Sequence, residues 1–207
     1  QGEGGIRVLP EPFLKEIRKI CNEKNILLIL DEVQCGVGRT GKLFAHEWVE
    51  IEPDIMMVAK GIGGGFPLGA VLAKENAASG MTAGTHGSTY GGNPLGCSIG
   101  LKVMDIISDP DFLYDVNRKA KLFHDGLLEL LKKNTSIFEE VRGKGLMLGL
   151  KCKVKNIDVV NAGYSNKLLT VPAGDNVVRL LPPLTISDND INEALNKLDG
   201  VMTALSQ

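Results

Sequence analysis

The sequence predicts an α/β protein, with part of a mainly parallel sheet in its first half and a small α+β domain in its second. Two apolar runs, at residues 26–30 and 55–59, have the length and composition of buried strands. The segment between them is long enough for the crossover that joins parallel strands, and such a crossover is expected to be right-handed. Residues 139–154 alternate between apolar and polar side chains in their second half, which is typical of a strand and marks the start of the small α+β domain.

The elements before the first strand are a glycine-rich segment and a helix. Residues 1–7, QGEGGIR, are expected to be the tail of a preceding strand that the chain does not contain. Residues 10–24 are predicted to be helical, because Pro12 suits a first turn and apolar side chains recur at helical spacing. Those apolar side chains are Phe13, Leu14, Ile17 and Ile20.

A domain boundary is predicted near Pro110. Residues 95–131 have a helical pattern that is interrupted by Asp-Pro-Asp, a sequence that suits a turn and a new helix N-cap. We therefore assign residues 1–108 to a larger domain and residues 109–207 to a small C-terminal domain. Within the small domain we expect a helix at 156–166, strands at 168–171 and 177–181 around the turn AGDN, and a closing helix that Ser187 caps and that ends at Leu205.

The composition excludes several classes of partner. The 207 residues are 43% hydrophobic and 23% charged, and the formal net charge of −2 gives no reason to expect nucleic acid or an anionic membrane. No apolar run approaches transmembrane length. The four cysteines lack CxxC spacing and the three histidines form no cluster, so we predict no metal site, no disulfide framework and a cytoplasmic location.

Two ionisable residues follow the predicted parallel strands directly. Asp31 follows the first and Lys60 follows the second, so both lie at carboxyl ends, where open sheets bind ligands and where neighbouring strands are ~5 Å apart. A carboxylate at the end of an apolar strand is costly to desolvate unless a cation pairs with it, and a protonated pyridine nitrogen is such a cation. A lysine among apolar residues and glycines is expected to be pushed toward its neutral form, which a Schiff base with an aldehyde requires. Pyridoxal phosphate offers both groups.

Plainer interpretations of these residues exist. Taken singly, the aspartate could be a helix N-cap and the lysine a solvated strand end. The stretch GVGRTGKL at residues 36–43 also resembles a nucleotide-binding P-loop that follows a strand. Leu43, however, stands where such a loop needs a serine or threonine to hold magnesium, so we consider this alternative the weaker one.

Two further features suggest contacts with anions. Residues 82–94, TAGTHGSTYGGNP, combine glycines with small hydroxyl residues, which favours a phosphate-binding concavity, although a flexible surface loop has the same composition. Arg179 lies inside the apolar segment VVRLL, where a guanidinium calls for a planar anionic partner. An internal salt bridge or a substrate carboxylate would satisfy it.

The combined motifs resemble the class III, pyridoxal-phosphate-dependent aminotransferases. The resemblance is carried by LILDEVQCGVGRTGKLFAHE, PDIMMVAKGIGGGFPLGA, the initial QGEGG and GTHGSTYGGNP, and it extends through the whole chain. It implies the fold type I of pyridoxal-phosphate-dependent transferases, with residues 69–73 as an antiparallel strand. It also implies that Gln1 corresponds to a point about halfway through such an enzyme.

The resemblance assigns cofactor roles to residues near the two strand ends. Lys60 would hold the cofactor aldehyde and then move a proton as general base and acid. Asp31 would keep the ring nitrogen protonated. Gln34 would hydrogen-bond the ring oxygen, and Val33 would pack on a ring face.

It also assigns residues to the cofactor phosphate and to substrates. Thr89, with Ser88 beside it, would reach the cofactor phosphate of the neighbouring subunit, so the active site would need a homodimer. Arg179 would bind the substrate α-carboxylate. Glu3 would act as a gate that pairs with Arg179 when another substrate is bound.

The implied reaction moves the δ-amino group of N2-acetylornithine to 2-oxoglutarate, which yields glutamate and belongs to arginine biosynthesis. LLTVPAGDNVVRLLPPL at residues 168–184 favours this branch over ornithine, 4-aminobutyrate or succinylornithine as the amino donor. A P-loop-like nucleotide-binding module and a non-catalytic remnant are the alternatives from other classes. We expect residues 1–207 alone to lack appreciable aminotransferase activity.

Overall fold

The computed structural model describes residues 1–133 and 135–206. The chain forms two compact units. One unit consists of Leu9–Leu113, and the other combines Gln1–Val8 with Tyr114–Gln207. Residues 1–7 form turns in place of the strand tail expected from the sequence. The first residues of the chain therefore pack with residues that are distant in sequence.

The unit Leu9–Leu113 contains one three-stranded sheet, in the order β1-β2-β3. Strands β1 and β2 are parallel and β2 and β3 are antiparallel, which confirms both orientations predicted for this region. The elements are α1 (Glu11–Lys24), β1 (Ile29–Asp31), a 3₁₀ helix (Ala45–Trp48), β2 (Ile55–Val58), a second 3₁₀ helix (Lys60–Gly63), β3 (Ala70–Ala73), α2 (Glu75–Ala78) and α3 (Pro94–Ile107).

The first strand is less buried than the sequence predicts. Of the apolar run at 26–30, only Leu28 is buried, whereas Ile26, Leu27 and Ile29 are 55%, 47% and 52% exposed. Ile26 and Leu27 precede β1, which begins at Ile29, and β1 itself is an edge strand with one neighbouring strand, so few contacts cover this run. Leu28 packs with Val49 and Ile51 in a cluster that α1 partly covers.

The other unit contains a four-stranded antiparallel sheet, in the order β4-β5-β7-β6. Its elements are the greater part of α4 (Pro110–Lys133), then β4 (Phe138–Lys144), β5 (Met147–Cys152), α5 (Asn156–Ser165), β6 (Val171–Ala173), β7 (Val177–Leu180) and α6 (Asp188–Leu205). The predicted cap of the closing helix is confirmed, since Ser187 Oγ accepts the N–H of Asp190 at 3.1 Å. The predicted strand at 168–171 instead spans Val171–Ala173.

None of the helices in the described part of the chain is both long and apolar enough to cross a membrane.

Candidate active site

Asp31 and Lys60 lie at the same edge of the first sheet. Asp31 is the last residue of β1 and is the register partner of Met57 on the parallel strand β2. Lys60 follows Met57 by three residues, just beyond the end of β2. Because parallel strands end at the same side of a sheet, a ligand outside this edge can meet both side chains.

Asp31 shapes the turn that follows its strand. Its Oδ1 accepts the backbone N–H of Val33 at 2.9 Å, and its side chain is exposed. Val33 and Gln34 are partly buried in the same turn. Cys35 follows them, and burial raises the pKa of its thiol to about 11, so the thiol stays protonated and is no competing nucleophile.

Glu32 is buried next to the exposed Asp31 and holds the crossover in place. It is 2% exposed, and its carboxylate accepts the backbone N–H groups of Ala45 and His46 at 2.6 and 2.9 Å. The Nδ1 atom of His46 lies 2.7 Å from Glu32 Oε1. Sequence reasoning assigned Glu32 no role. The available signal was side-chain alternation, because two adjacent acids at a strand end point to opposite faces.

Lys60 has an unusual backbone conformation. Its φ is 49°, in the left-handed region that non-glycine residues seldom adopt, and it begins the 3₁₀ helix Lys60–Gly63. Such strain is found at functional sites, where the surrounding structure maintains it. The burial expected for Lys60 is absent, since the residue is exposed in the chain as described.

The loop after Asp31 packs directly against the residue after Lys60. A Cβ atom on Gly61 would lie 3.2 Å from the Cβ of Val37, which is 2% exposed and has a φ of 54°. Any larger residue at position 61 would have to displace this buried side chain. The close contact therefore ties the Asp31 loop to the Lys60 turn.

The P-loop alternative is wrong. The N–H groups of Gly38, Arg39 and Gly41 are bonded to carbonyls within the loop itself, at 3.1, 3.3 and 3.0 Å. The loop leads into the 3₁₀ helix Ala45–Trp48, whereas a phosphate cradle needs the start of an α-helix.

Ser88 and Thr89 lie in an exposed loop of the same unit. Both residues are exposed, and Ser88 Oγ accepts the N–H of Gly91 at 2.8 Å. Their hydroxyl groups are accessible to a ligand from outside this unit.

Glu3 and Arg179 are brought together within the other unit. Arg179 Nη1 donates to Glu3 Oε1 at 2.6 Å. Arg179 lies on β7, where its register partners are Gly149 on β5 and Val171 on β6. Its side chain is 9% exposed and that of Glu3 is 76% exposed.

The chemistry of these groups fits pyridoxal phosphate. The exposed carboxylate of Asp31 can pair with a pyridinium, and the exposed amine of Lys60 can reach an aldehyde. The hydroxyl groups of Ser88 and Thr89 can donate to phosphate oxygens. These four residues present the donors and acceptors that would hold this cofactor.

Comparison with known proteins agrees with the resemblance found in the sequence motifs. The sequence profile described as "Aminotransferase class-III" matches residues 1–202. The chain is 63% identical to the acetylornithine aminotransferase of Rhodobacter capsulatus, over 99% of this chain and 52% of that protein. It is 57% identical to that of Mesorhizobium japonicum, over 96% of this chain and 50% of that protein. The chain thus spans about half the length of the curated relatives it matches.

Solved structures match the chain along its whole length. The N-acetylornithine aminotransferase from Stenotrophomonas maltophilia K279a is similar at a TM-score of 0.90 and 35% identity, over 100% of this chain and 55% of that one. The ornithine aminotransferase from Toxoplasma gondii ME49 gives 0.93 and 33% identity, over 100% of this chain and 50% of that one. These similarities confirm the predicted fold class, fold type I with a partial large domain.

Proposed function

Because the chain belongs to the class-III aminotransferase family, we propose that its site serves a pyridoxal-phosphate-dependent transfer of the δ-amino group from N2-acetylornithine to 2-oxoglutarate. The observation that carries the proposal is the position of Asp31 and Lys60 at the common carboxyl edge of two parallel strands. The choice of amino donor is supported by the names of the relatives at 63% and 57% identity.

Lys60 and Asp31 carry the proton chemistry. When bound, pyridoxal phosphate supplies an aldehyde for the amine and a ring that accepts electrons. Lys60 Nζ would hold the cofactor aldehyde between turnovers and, once released, would take a proton from the carbon that bears the substrate amine as general base and deliver it to the cofactor carbon as general acid. The Asp31 carboxylate keeps the ring nitrogen protonated. Gln34 and Val33 orient the ring from the turn that Asp31 stabilises.

Arg179 and Glu3 let two substrates share one site. Arg179 binds the α-carboxylate of a substrate through parallel N–H···O bonds, a geometry for which guanidinium is suited. When the bound substrate does not use Arg179, Glu3 pairs with the arginine, as it does in this structure at 2.6 Å. The exposure of Glu3 is compatible with movement away from Arg179.

The proposal includes a homodimer in the cytoplasm. Ser88 and Thr89 are exposed in one copy of the chain, which suits hydroxyl groups that bind the cofactor phosphate of a partner subunit. Small molecules are the other partners, namely N2-acetylornithine, 2-oxoglutarate and glutamate. Free cysteines at positions 21, 35, 97 and 152 suit a reducing compartment.

The proposal can be tested by mapping the site of cofactor attachment. We would incubate residues 1–207 with pyridoxal phosphate, reduce with borohydride and locate the modified lysine by peptide mass spectrometry. We expect the label on Lys60, its loss in Lys60→Ala, and its retention in Lys42→Ala, which removes an exposed lysine of the neighbouring loop. Equal labelling of many lysines in both variants would reject the assignment.

The amino donor needs a separate measurement. Turnover with N2-acetylornithine, ornithine, 4-aminobutyrate and succinylornithine would be compared for residues 1–207 and for the longer Rhodobacter capsulatus relative. We expect N2-acetylornithine to give the highest kcat/KM in the relative and little turnover in the shorter chain. A preference for ornithine would assign the site to that branch.

A further inference from the structure

The segment that carries Glu3 lies on the turn between β6 and β7. The N–H of Gly174 donates to the carbonyl of Glu3 at 2.8 Å. A Cβ atom on Gly5, which has a φ of 105°, would lie 2.7 Å from the carbonyl oxygen of Gly174. The two backbones are therefore in direct contact on both sides of Gly4.

Ile6 anchors the same segment to the sheet beside Arg179. It is 2% exposed although its φ is 52°, an unfavourable conformation for a β-branched residue. A Cβ atom on Gly149 would lie 2.9 Å from Ile6 Cγ1, and Gly149 is the register partner of Arg179. The side chain of Ile6 thus covers the strand position next to the buried arginine.

Asp175 joins this segment to two strands through three cations. Its carboxylate lies 2.6 Å from Lys151 Nζ, 2.7 Å from Arg142 Nη1 and 2.9 Å from Arg7 Nη2. Lys151 belongs to β5 and Arg142 to β4, whereas Arg7 belongs to the segment of Glu3. The bonds from Lys151 and then Arg142 lower the pKa of Asp175 to about 2, so the carboxylate is charged at neutral pH.

We infer that Asp175 is a positioning residue that holds Glu3 against Arg179 by fixing residues 3–7 on the β6–β7 turn. The inference rests on the proposed gate role of Glu3. Arg7 lies on the segment itself, and Arg142 Nη1 also donates to the carbonyl of Gly5 at 3.4 Å, so these two cations transmit the restraint from Asp175. Without the Asp175 carboxylate, Glu3 would pair with Arg179 for a smaller fraction of the time, and a ligand carboxylate would meet less competition there.

The test compares Asp175→Asn, Arg7→Gln and a matched control in residues 1–207. The control is Asp188→Asn, because Asp188 also accepts from an arginine, Arg118, at 2.7 Å but does not contact residues 3–7. Two quantities are measured: the hydrogen exchange rate of the Arg179 guanidinium by NMR, and the Kd of glutarate, a dicarboxylate, by calorimetry. In Asp175→Asn we expect the exchange rate of the Arg179 guanidinium to rise about fivefold and the glutarate Kd to fall about fivefold. Arg7→Gln should change both quantities in the same direction by a smaller factor, and the control should change neither.

A second background separates positioning from general destabilisation. In Glu3→Gln, which removes the competitor itself, Asp175→Asn should leave the glutarate Kd unchanged. Weaker glutarate binding in both backgrounds, or unchanged Arg179 exchange in Asp175→Asn and Arg7→Gln, would overturn the inference. Arg7 is 55% exposed, so its variant remains informative if Asp175→Asn does not fold.

The gate role of Glu3 can fail separately. If Glu3→Gln alone leaves the glutarate Kd unchanged, Glu3 does not compete with carboxylates and that part of the proposed function is wrong. The exchange rate of Arg179 still decides whether Asp175 positions Glu3.

Discussion

Arg179 Nη1 donates to Glu3 Oε1 at 2.6 Å, and the two side chains differ sharply in exposure, at 9% and 76%. A buried guanidinium is costly to leave without an anion, whereas an exposed carboxylate regains its hydration when it moves away. This asymmetry supports the proposed gate, in which the carboxylate of a ligand replaces Glu3 while Arg179 stays in place.

The first prediction concerns the shape of the cation. Arg179→Lys should weaken 2-oxoglutarate binding about tenfold, because an ammonium cannot form two parallel bonds to a carboxylate. Calorimetric titration measures this Kd, and Arg118→Lys, at an exposed ion pair, is the control. Unchanged affinity in Arg179→Lys would remove Arg179 from the binding site.

The second prediction concerns the charge of Asp31. Asp31→Asn keeps an oxygen that can accept the Val33 N–H but removes the charge that would hold the ring proton. We expect pyridoxal phosphate to bind and the proton-transfer step to slow by about 10²-fold or more, as followed by single-turnover stopped-flow absorbance, which does not require sustained turnover. Asp109→Asn is the control, because Asp109 Oδ1 accepts the N–H of Asp111 in the same type of turn. Equal rates in the two variants would contradict the role of Asp31.

The third prediction separates the backbone of Lys60 from its amine. Glycine adopts a φ of 49° without strain. The free energy of unfolding, measured with urea, should therefore be about 1 kcal/mol higher for Lys60→Gly than for Lys60→Ala. Neither variant should be labelled by cofactor. Lys167, with a φ of 55°, should show the same order of stability, and Lys102, within α3, should show the reverse. A higher stability of Lys60→Ala than of Lys60→Gly would contradict this prediction.

The fourth prediction concerns the buried Glu32. Glu32→Gln should lower the free energy of unfolding by about 2–3 kcal/mol, because the two carboxylate oxygens accept the N–H groups of Ala45 and His46 separately, and an amide replaces one of these oxygens by a nitrogen that cannot accept. Urea unfolding measures the change, and Glu16→Gln, on the exposed face of α1, should cost little. A negligible effect in Glu32→Gln would mean that the crossover is held by other contacts.

The fifth prediction concerns acid stability. The folded-state pKa of Asp175 is about 2, below its ordinary value of 3.8, so its contribution is complete above about pH 4 and is lost as the pH falls toward 2. Asp175→Asn should therefore show a smaller loss of stability between pH 4 and pH 2 than the unaltered chain. Thermal unfolding at several pH values measures it, and parallel curves for the two proteins would contradict the prediction.

The sequence by itself determined the elements whose signals are local. Helical spacing placed α1 within one residue of its observed start, and Ser187 marked the beginning of α6. The long crossover between two apolar runs implied the parallel pair β1 and β2, and hence the shared strand edge of Asp31 and Lys60. These inferences succeeded because periodicity, caps and connection length act over a few residues or constrain topology directly.

Only the tertiary structure decided which distant residues meet and what covers each strand. The half-exposed side of β1, the contacts of Glu32 with His46 and the left-handed φ of Lys60 have no local signal in the sequence. Arg7 and Asp175 are separated by 168 residues, yet they form one ion pair. Such pairs depend on the path of the whole chain, because burial and backbone strain are set by the neighbours that folding brings together.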